Sequence, residues 1–141
     1  MYDLIIENAN LVTCDKNHNV ISNASMAIAD GRIQVIENGS GKKFQHFAAS
    51  QKIDAGNKIV MPGLINMHCH AADSLFRRLV EALSLEAWLQ KVWIAERSIL
   101  TPKTTYTGSV LGLAENLLSG VTSVMDMFWY PNEAVKAAND L

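Results

Sequence analysis

Residues 61–70, with the sequence MPGLINMHCH, constrain this chain more than any other segment. A Pro-Gly break is followed by an apolar run that ends in two histidines. Alternate residues of a β-strand point to the same face, with their Cα atoms about 6.5 Å apart. His68 and His70 are therefore predicted to turn their rings to one side, where both can bind one ion, while Cys69 faces the other side. The segment predicts half of a metal site.

Composition narrows the class of protein. The chain has 141 residues, 49% of them hydrophobic, which is enough for an ordinary folded domain. The net charge of −2 includes no basic block, which argues against a nucleic-acid partner or an anionic membrane surface. We expect no membrane span, since no apolar run reaches roughly 18 residues. We also expect no secretion signal, since no N-terminal stretch combines a basic region with a long apolar core. Two cysteines, Cys14 and Cys69, are too few for a disulfide scaffold and favour the cytoplasm.

Short apolar runs predict a small antiparallel β layer over residues 1–60. The runs at 4–6 and 11–12 are separated by the polar stretch 7–10, which predicts two strands. Asp30-Gly31 predicts a tight hairpin, and residues 38–41 predict the turn that ends its second strand. About four short strands make a thin sheet, so we expect this layer to need a covering partner.

After the Pro-Gly break the pattern becomes helical. Ser84 is predicted to cap one helix, and Thr101 with its following proline begins a second helix that ends at Gly120. Residues 121–127 predict a buried strand, so the order is strand, helices, strand, with the two strands parallel. Asn132 is predicted to cap a further helix.

The metal ligands within the chain are too few for a complete site. Of the four histidines, the other two, His18 and His46, fall in the β layer. Catalytic zinc usually binds three protein ligands and a water. Asp126 is a candidate third ligand, because neighbouring strands end about 5 Å apart. The alternatives are that Asp126 orients a histidine or faces a helix.

A set of motifs in fixed order spans nearly the whole chain. Its members are Asp54 and Gly56, Pro62-Gly63-Leu64-Ile65-Asn66, His68 and His70, Leu75 with Arg77, Trp88-Leu89 with Glu96, Leu118 with Gly120-Val121-Thr122, and Asp126-Met127. This set resembles the amidohydrolase superfamily, specifically its branch of nucleobase and adenosyl-compound deaminases and triazine hydrolases.

The resemblance implies an α/β fold, a TIM-type (β/α)8 barrel that this chain leaves incomplete. Residues 61–141 are then the first two βα units, and residues 1–60 are the N-terminal part of a small β-sandwich. One divalent metal ion, zinc or alternatively iron, is held by His68 and His70 together with ligands from later strands. The catalytic residue that transfers protons is expected beyond Leu141.

The implied reaction is hydrolysis of a carbon-nitrogen bond other than a peptide bond. The metal activates a water that attacks a ring carbon of a purine, pyrimidine or adenosyl compound, while a carboxylate passes a proton to the leaving ammonia. Trp88 and Glu96 resemble substrate-binding positions of this branch. They are eight residues apart on the predicted helix, about 80° around its axis, so both can face one cleft. The alternatives are a core position for Trp88 and a solvated one for Glu96.

Three interpretations stay open. In the first, the chain is the N-terminal part of a deaminase, inactive alone and completed by a longer polypeptide or a complementary chain. In the second, the reaction is that of a triazine hydrolase, which removes chloride or an amine. In the third, the chain is a non-catalytic fragment whose exposed strand edges need a partner or a homo-oligomer.

Overall fold

The computed structural model describes residues 1–39 and 44–141, and the chain forms two compact units. Unit 1 is Met1–Pro62 and unit 2 is Gly63–Leu141. Ser40 and Gly41, within the predicted turn at residues 38–41, lie outside the described residues. Within the described part, no helix combines the length and the apolar character needed to cross a membrane.

Unit 1 is a five-stranded sheet with the order β3-β2-β1-β4, in which β5 also pairs with β1. The strands are β1 (Tyr2–Val12), β2 (Val20–Ala29), β3 (Arg32–Asn38), β4 (Ala49–Asp54) and β5 (Ile59–Val60), with a 3-10 helix at Phe44–His46. The predicted hairpin joins β2 to β3, and Asp30 and Gly31 have φ of 52° and 67°. A two-residue hairpin turn of type I′ requires positive φ at both central residues.

Two predictions for unit 1 are wrong. The polar stretch 7–10 does not divide the first strand, because β1 continues through it with a register shift between Ile6 and Ala9. Asn8 has φ of 61° there, so an irregularity in the ladder accommodates the polar residues. The layer is also mixed rather than antiparallel, since β4 and β5 run parallel to β1.

Unit 1 has apolar clusters of its own. Ile5, Ala27 and Phe44 are fully buried against one another. A second cluster joins Leu11 to Met26. Removing this apolar surface from water is the main favourable contribution to folding of the unit.

Unit 2 is a two-stranded parallel sheet accompanied by helices. Its elements are β6 (Leu64–Cys69), a 3-10 helix (Ala71–Phe76), α1 (Leu85–Ile99), α2 (Pro102–Leu118), β7 (Val121–Asp126) and α3 (Pro131–Asn139). β6 and β7 pair in parallel, which confirms the predicted order of strand, helices and strand. The 3-10 helix that follows β6 was not predicted from the sequence.

The ends of α1 and α2 follow the predicted capping residues. Thr101 begins α2 with a capping box, in which its hydroxyl accepts from the Thr104 N–H and the Thr104 hydroxyl accepts from the Thr101 N–H. Gly120, with φ of 82°, lies just after the end of α2. Ser84 stands at the N-cap of α1 with extended backbone, although its side chain makes no capping hydrogen bond.

The predicted start of α3 is wrong by two residues. Tyr130, with φ of 52°, is the N-cap residue, and Asn132 lies inside the first turn. Pro131 occupies the first helical position, where its fixed φ suits the helix and its missing N–H has no intrahelical partner to lose.

The backbone of α2 packs directly on the 3-10 helix. A Cβ added to Gly112 would lie 2.3 Å from the carbonyl oxygen of Ala71, so only glycine fits at this contact. Cys69 is buried nearby against Leu113 and Ala137. Burial, followed by the charge of Asp126, raises the pKa of the Cys69 thiol. Cys69, which faces away from the two histidines as predicted, therefore has the environment of a packing residue rather than of a reactive thiol.

Candidate functional site

The two histidines of the motif turn their rings to one point. The Nε2 atoms of His68 and His70 are 3.2 Å apart, and the rings are nearly perpendicular, at 83°. Two nitrogens bound to one tetrahedral zinc at 2.0–2.1 Å would be separated by about 3.3 Å. The observed separation therefore fits a shared ion.

A backbone carbonyl sets the protonation of His70. Its Nδ1 lies 2.7 Å from the carbonyl oxygen of Met127, just beyond β7. Because a carbonyl oxygen only accepts, Nδ1 carries the proton and Nε2 presents a lone pair toward His68. This is the arrangement that a metal-binding imidazole needs. Metal ligation by the two histidines stays a prediction.

Hydrogen bonds from Asn66 and a strand irregularity place His68. The side-chain oxygen of Asn66 accepts from the backbone N–H of His68 at 3.2 Å, and its amide nitrogen donates to Asn116 on α2 at 3.1 Å. The pairing of β6 with β7 shifts between Asn66 and Cys69. The side chains of Asn66 and Cys69 both contact Asn116, whereas the rings of His68 and His70 face each other.

Asp126 faces the neighbouring helix, which was one of the alternatives for it. Its Oδ1 accepts from the backbone N–H of Ala71 at 2.8 Å, at the start of the 3-10 helix. In residues 1–39 and 44–141, no three His, Cys, Asp or Glu side chains converge on one point where they could hold a metal. The described residues thus bring two ring nitrogens together at this point.

A cavity of about 460 Å³ adjoins His70. Its volume lies within the usual range for small-molecule sites. Trp88 and Glu96 of α1 both line it, so the structure brings these two predicted residues and His70 around one space. Their contact with substrate stays a prediction.

Glu96 is buried rather than solvated. It is 6% exposed, and its Oε2 accepts from the indole N–H of Trp129 at 2.9 Å. A buried carboxylate needs such a partner, because desolvation otherwise costs several kcal/mol by typical estimates. Trp129 therefore holds the Glu96 carboxylate at the cavity.

Asp73 and Trp129 also belong to this site, although neither was predicted from the sequence. Asp73, half-buried on the 3-10 helix, also lines the cavity. Burial, followed by the charge of Glu96, raises the pKa of Asp73 to about 6. Both residues come shortly after the carboxyl end of a parallel strand, where sites on such sheets form. Their place after the end of a predicted strand was the sequence feature that could have identified them.

Comparison with known proteins gives the family. Residues 59–141 match the Amidohydrolase family. The chain is 41% identical over 138 residues to a 5'-deoxyadenosine deaminase of Methanosarcina barkeri, covering 97% of this chain and 31% of that protein. It is 35% identical over 138 residues to a 5-methylthioadenosine/S-adenosylhomocysteine deaminase of Acetivibrio thermocellus, covering 98% and 32%. The chain thus spans about a third of the length of these relatives.

Solved structures share the fold. An adenosine deaminase from Xanthomonas campestris with bound zinc superposes with a TM-score of 0.91 at 26% identity, over 99% of this chain and 32% of that one. A triazine hydrolase from Arthobacter aurescens gives 0.84 at 23% identity, over 99% and 34%, a likeness of fold alone. The described elements are therefore a mixed α/β part of such structures. Since the family match takes in more than half of its residues, the chain belongs to the amidohydrolase family, as its motifs predicted.

Proposed function

We propose that this chain is the N-terminal part of a metal-dependent amidohydrolase that hydrolytically deaminates a purine, pyrimidine or adenosyl compound. The observation that carries the proposal is the pair of Nε2 atoms 3.2 Å apart, with the His70 ring oriented by the Met127 carbonyl. The deaminase names of the relatives support the reaction, and the zinc in the Xanthomonas campestris structure supports the metal.

His68 and His70 are the residues that would hold one divalent ion, with zinc preferred to iron. When bound, the ion supplies Lewis acidity that makes a water nucleophilic near neutral pH. The two imidazoles act as neutral donors. Because Nδ1 of His70 is protonated and bonded to Met127, only the Nε2 lone pair is free, and an ion bound there would leave His70 no nitrogen to act as the general base. The residue that transfers protons is expected beyond Leu141.

Trp88 and Glu96 are proposed to contact the substrate. Trp88 lines the cavity, and an aromatic side chain there suits contact with a planar heterocycle. Glu96, bonded through one oxygen to Trp129, accepts hydrogen bonds from the substrate with the remaining capacity of its carboxylate.

The proposed architecture is the start of a (β/α)8 barrel at residues 61–141, preceded at 1–60 by part of a β-sandwich. Apolar side chains of β6 and β7 are exposed, including Ile65 and Met125, as expected of strands that further elements cover. We infer that the chain alone is inactive and is completed by a longer polypeptide, a complementary chain or a homo-oligomer. The cytoplasm is the proposed location, since Cys14 and Cys69 are both free thiols.

A triazine hydrolase is the second candidate, favoured by the structural likeness to such an enzyme. The same half-site would then serve removal of chloride or an amine from a triazine ring. The third candidate is a non-catalytic fragment, favoured by the small number of metal ligands that the described residues bring together.

The test is made on the full-length protein, meaning this chain continued to the length of its curated relatives. The zinc-loaded protein is assayed for ammonia release from adenosine, 5'-deoxyadenosine, guanine and cytosine, and for chloride release from a chlorotriazine. We expect ammonia release from at least one nucleoside or base, and loss of it in the H68A/H70A variant. Chloride release alone would favour the second candidate, and no release of either kind would favour the third.

A further inference from the structure

Strand β6 departs from regular pairing just before its two histidines. From Asn66 to Cys69 it advances three residues, while its partner β7 advances two, from Val124 to Asp126. An extra residue of this kind is a β-bulge, which interrupts the ladder and re-aims the side chains around it. The extra residue falls in the stretch that contains His68, so the direction of that ring depends on the bulge.

An asparagine side chain closes the bulge. The side-chain oxygen of Asn66 accepts from the backbone N–H of His68, two residues further along the strand, at 3.2 Å. Asparagine favours this local bond, which gives a backbone donor at the bulge an acceptor. The amide of Asn66 must turn its oxygen to His68 for this purpose, because its nitrogen could only donate.

The orientation of the Asn66 amide is set from α2. Its Nδ2 donates to Oδ1 of Asn116 at 3.1 Å, and Nδ2 of Asn116 donates to the carbonyl oxygen of Gly112 at 2.8 Å. A carbonyl oxygen only accepts, so this second bond holds the Asn116 amide with its own oxygen toward Asn66. That oxygen binds the Asn66 nitrogen, which leaves the Asn66 oxygen turned to His68.

The surrounding packing leaves the two amides little freedom. Both Asn66 and Asn116 are half-buried. Gly112 lies so close to the Ala71 carbonyl, just after β6, that a side chain would not fit, and this contact fixes how far α2 stands from the end of the strand. Without Asn116, the half-buried nitrogen of Asn66 would lack its acceptor, and the amide would turn to find another.

We propose that Asn116 is a positioning residue for the half-site of His68 and His70, acting through the Asn66 amide on the backbone of His68. The inference rests on the proposed function, since it takes the two histidines as ligands of the ion. Asn116 contacts neither ion nor substrate in this scheme. It fixes the direction of one ligand before the ion binds, and removing such a residue typically lowers metal affinity by about 10–100-fold.

The test uses the full-length protein and the variants N116S, N66A, N66A/N116S and T107A. A serine at position 116 can still donate to the Gly112 carbonyl of its own helix, but it is too short to reach Asn66. T107A is the control, because the hydroxyl of the exposed Thr107 donates to Lys103 within α2.

Three measurements are made on each protein. Competition with a chromophoric chelator gives the zinc affinity, and the absorption spectrum of the cobalt(II) form reports the arrangement of the ligands. Urea unfolding of the metal-free protein gives the stability. The first two measurements respond to ligand position, whereas a purely structural role would change the third alone.

We expect zinc affinity to fall about tenfold in N116S and in N66A, with a changed cobalt(II) spectrum, and to keep its wild-type value in T107A. The loss in N66A/N116S should be no larger than in N66A, because Asn116 acts through the same side chain. Losses that multiply to about a hundredfold in the double variant would overturn the inference. It is also overturned if N116S is less stable yet binds zinc like the wild type with an unchanged spectrum.

Ammonia release from adenosine, 5'-deoxyadenosine, guanine and cytosine is assayed in the same proteins. The expected losses of zinc affinity without any ammonia release would contradict the proposed deamination and leave the role of Asn116 supported. Ammonia release by the wild type, with unchanged zinc affinity in N116S, would support the deamination and overturn the inference.

Discussion

The two units differ in how far each covers its own apolar side chains. In unit 1, Ile5 of the five-stranded sheet and Phe44 of the 3-10 helix at Phe44–His46 are 0% exposed. In unit 2, strand residues Ile65, Met67 and Met125 are 66%, 62% and 56% exposed. Yet the histidine pair and the adjoining cavity belong to unit 2. The candidate site thus lies in unit 2, the unit whose exposed apolar side chains would be stabilised most by burial under further elements.

The largest expected effect comes from removing the two imidazoles of unit 2. We expect zinc to bind weakly to the chain and binding to become undetectable in the H68A/H70A variant, since both nitrogen donors are lost. Competition with a chromophoric chelator measures the affinity. The H18A/H46A variant, which removes the two exposed histidines of unit 1, is the control and is expected to bind like the parent. Equal loss in both variants would contradict the proposed site.

A second prediction compares backbone contacts in the two units. The G112A substitution places a Cβ against the Ala71 carbonyl and should lower the free energy of unfolding of unit 2 by about 1–3 kcal/mol. The G56A substitution in unit 1 makes only an ordinary 3.4 Å contact, with Asp54, and is the control.

Urea unfolding is followed by tryptophan fluorescence for unit 2, which contains all three tryptophans, and by the strand signal in circular dichroism for unit 1. A lower midpoint in G112A alone is the expected result. An unchanged midpoint in G112A would show that α2 does not pack on the 3-10 helix as closely as described.

A third prediction concerns pH. The pKa of Asp73, raised to about 6, lies above its ordinary value of 3.8, so folded unit 2 binds more protons than its unfolded form between these values. Its stability should therefore fall as pH rises from about 4 to 6. After allowance for solvent screening the loss is on the order of 1 kcal/mol. Tryptophan-monitored urea unfolding of the metal-free chain measures it, and D73N should flatten the dependence.

The smallest expected effect is an opposite pH dependence in unit 1. The amide of Asn8, and then the N–H of Gly56, lower the pKa of the exposed Asp54 carboxyl. That stabilisation is present above the unfolded pKa and is lost as pH falls through the folded value, below about 4. Urea unfolding followed by the strand signal in circular dichroism should show less acid sensitivity in D54N than in the parent chain or in E86Q, a control that removes an exposed carboxylate of α1. Identical acid limbs would contradict the prediction.

Local chemistry made much of the fold predictable. Thr101 with Pro102 defined the start of α2, and Asp30 with Gly31 defined the hairpin, because each turn or cap depends on neighbouring residues alone. The stretch around Asn8 was misinterpreted as a break. An irregularity inside a strand is stabilised by pairing with β2 and β4, which are distant in sequence.

The candidate site was predictable only where spacing decides orientation. Alternation along a strand turns residues 68 and 70 to one side, so the approach of their rings was predictable from the sequence, whereas the Met127 carbonyl that orients His70 was not. The burial of Glu96 did not, because its partner Trp129 lies 33 residues away. Asp73 was missed because its place in the cavity wall beside Glu96 results from packing rather than from any motif.

The acceptor that orients His70 is a main-chain carbonyl. This determines how early in translation the ring can be oriented and which substitutions the site tolerates. The carbonyl of residue 127 follows His70 by 57 positions, so it cannot select a tautomer until the ribosome has made the second strand. Replacing the methionine side chain leaves that oxygen in place. Substitution of residue 127 should therefore leave the orientation of the His70 ring unchanged, whereas a shift in the pairing of β6 with β7 should change it.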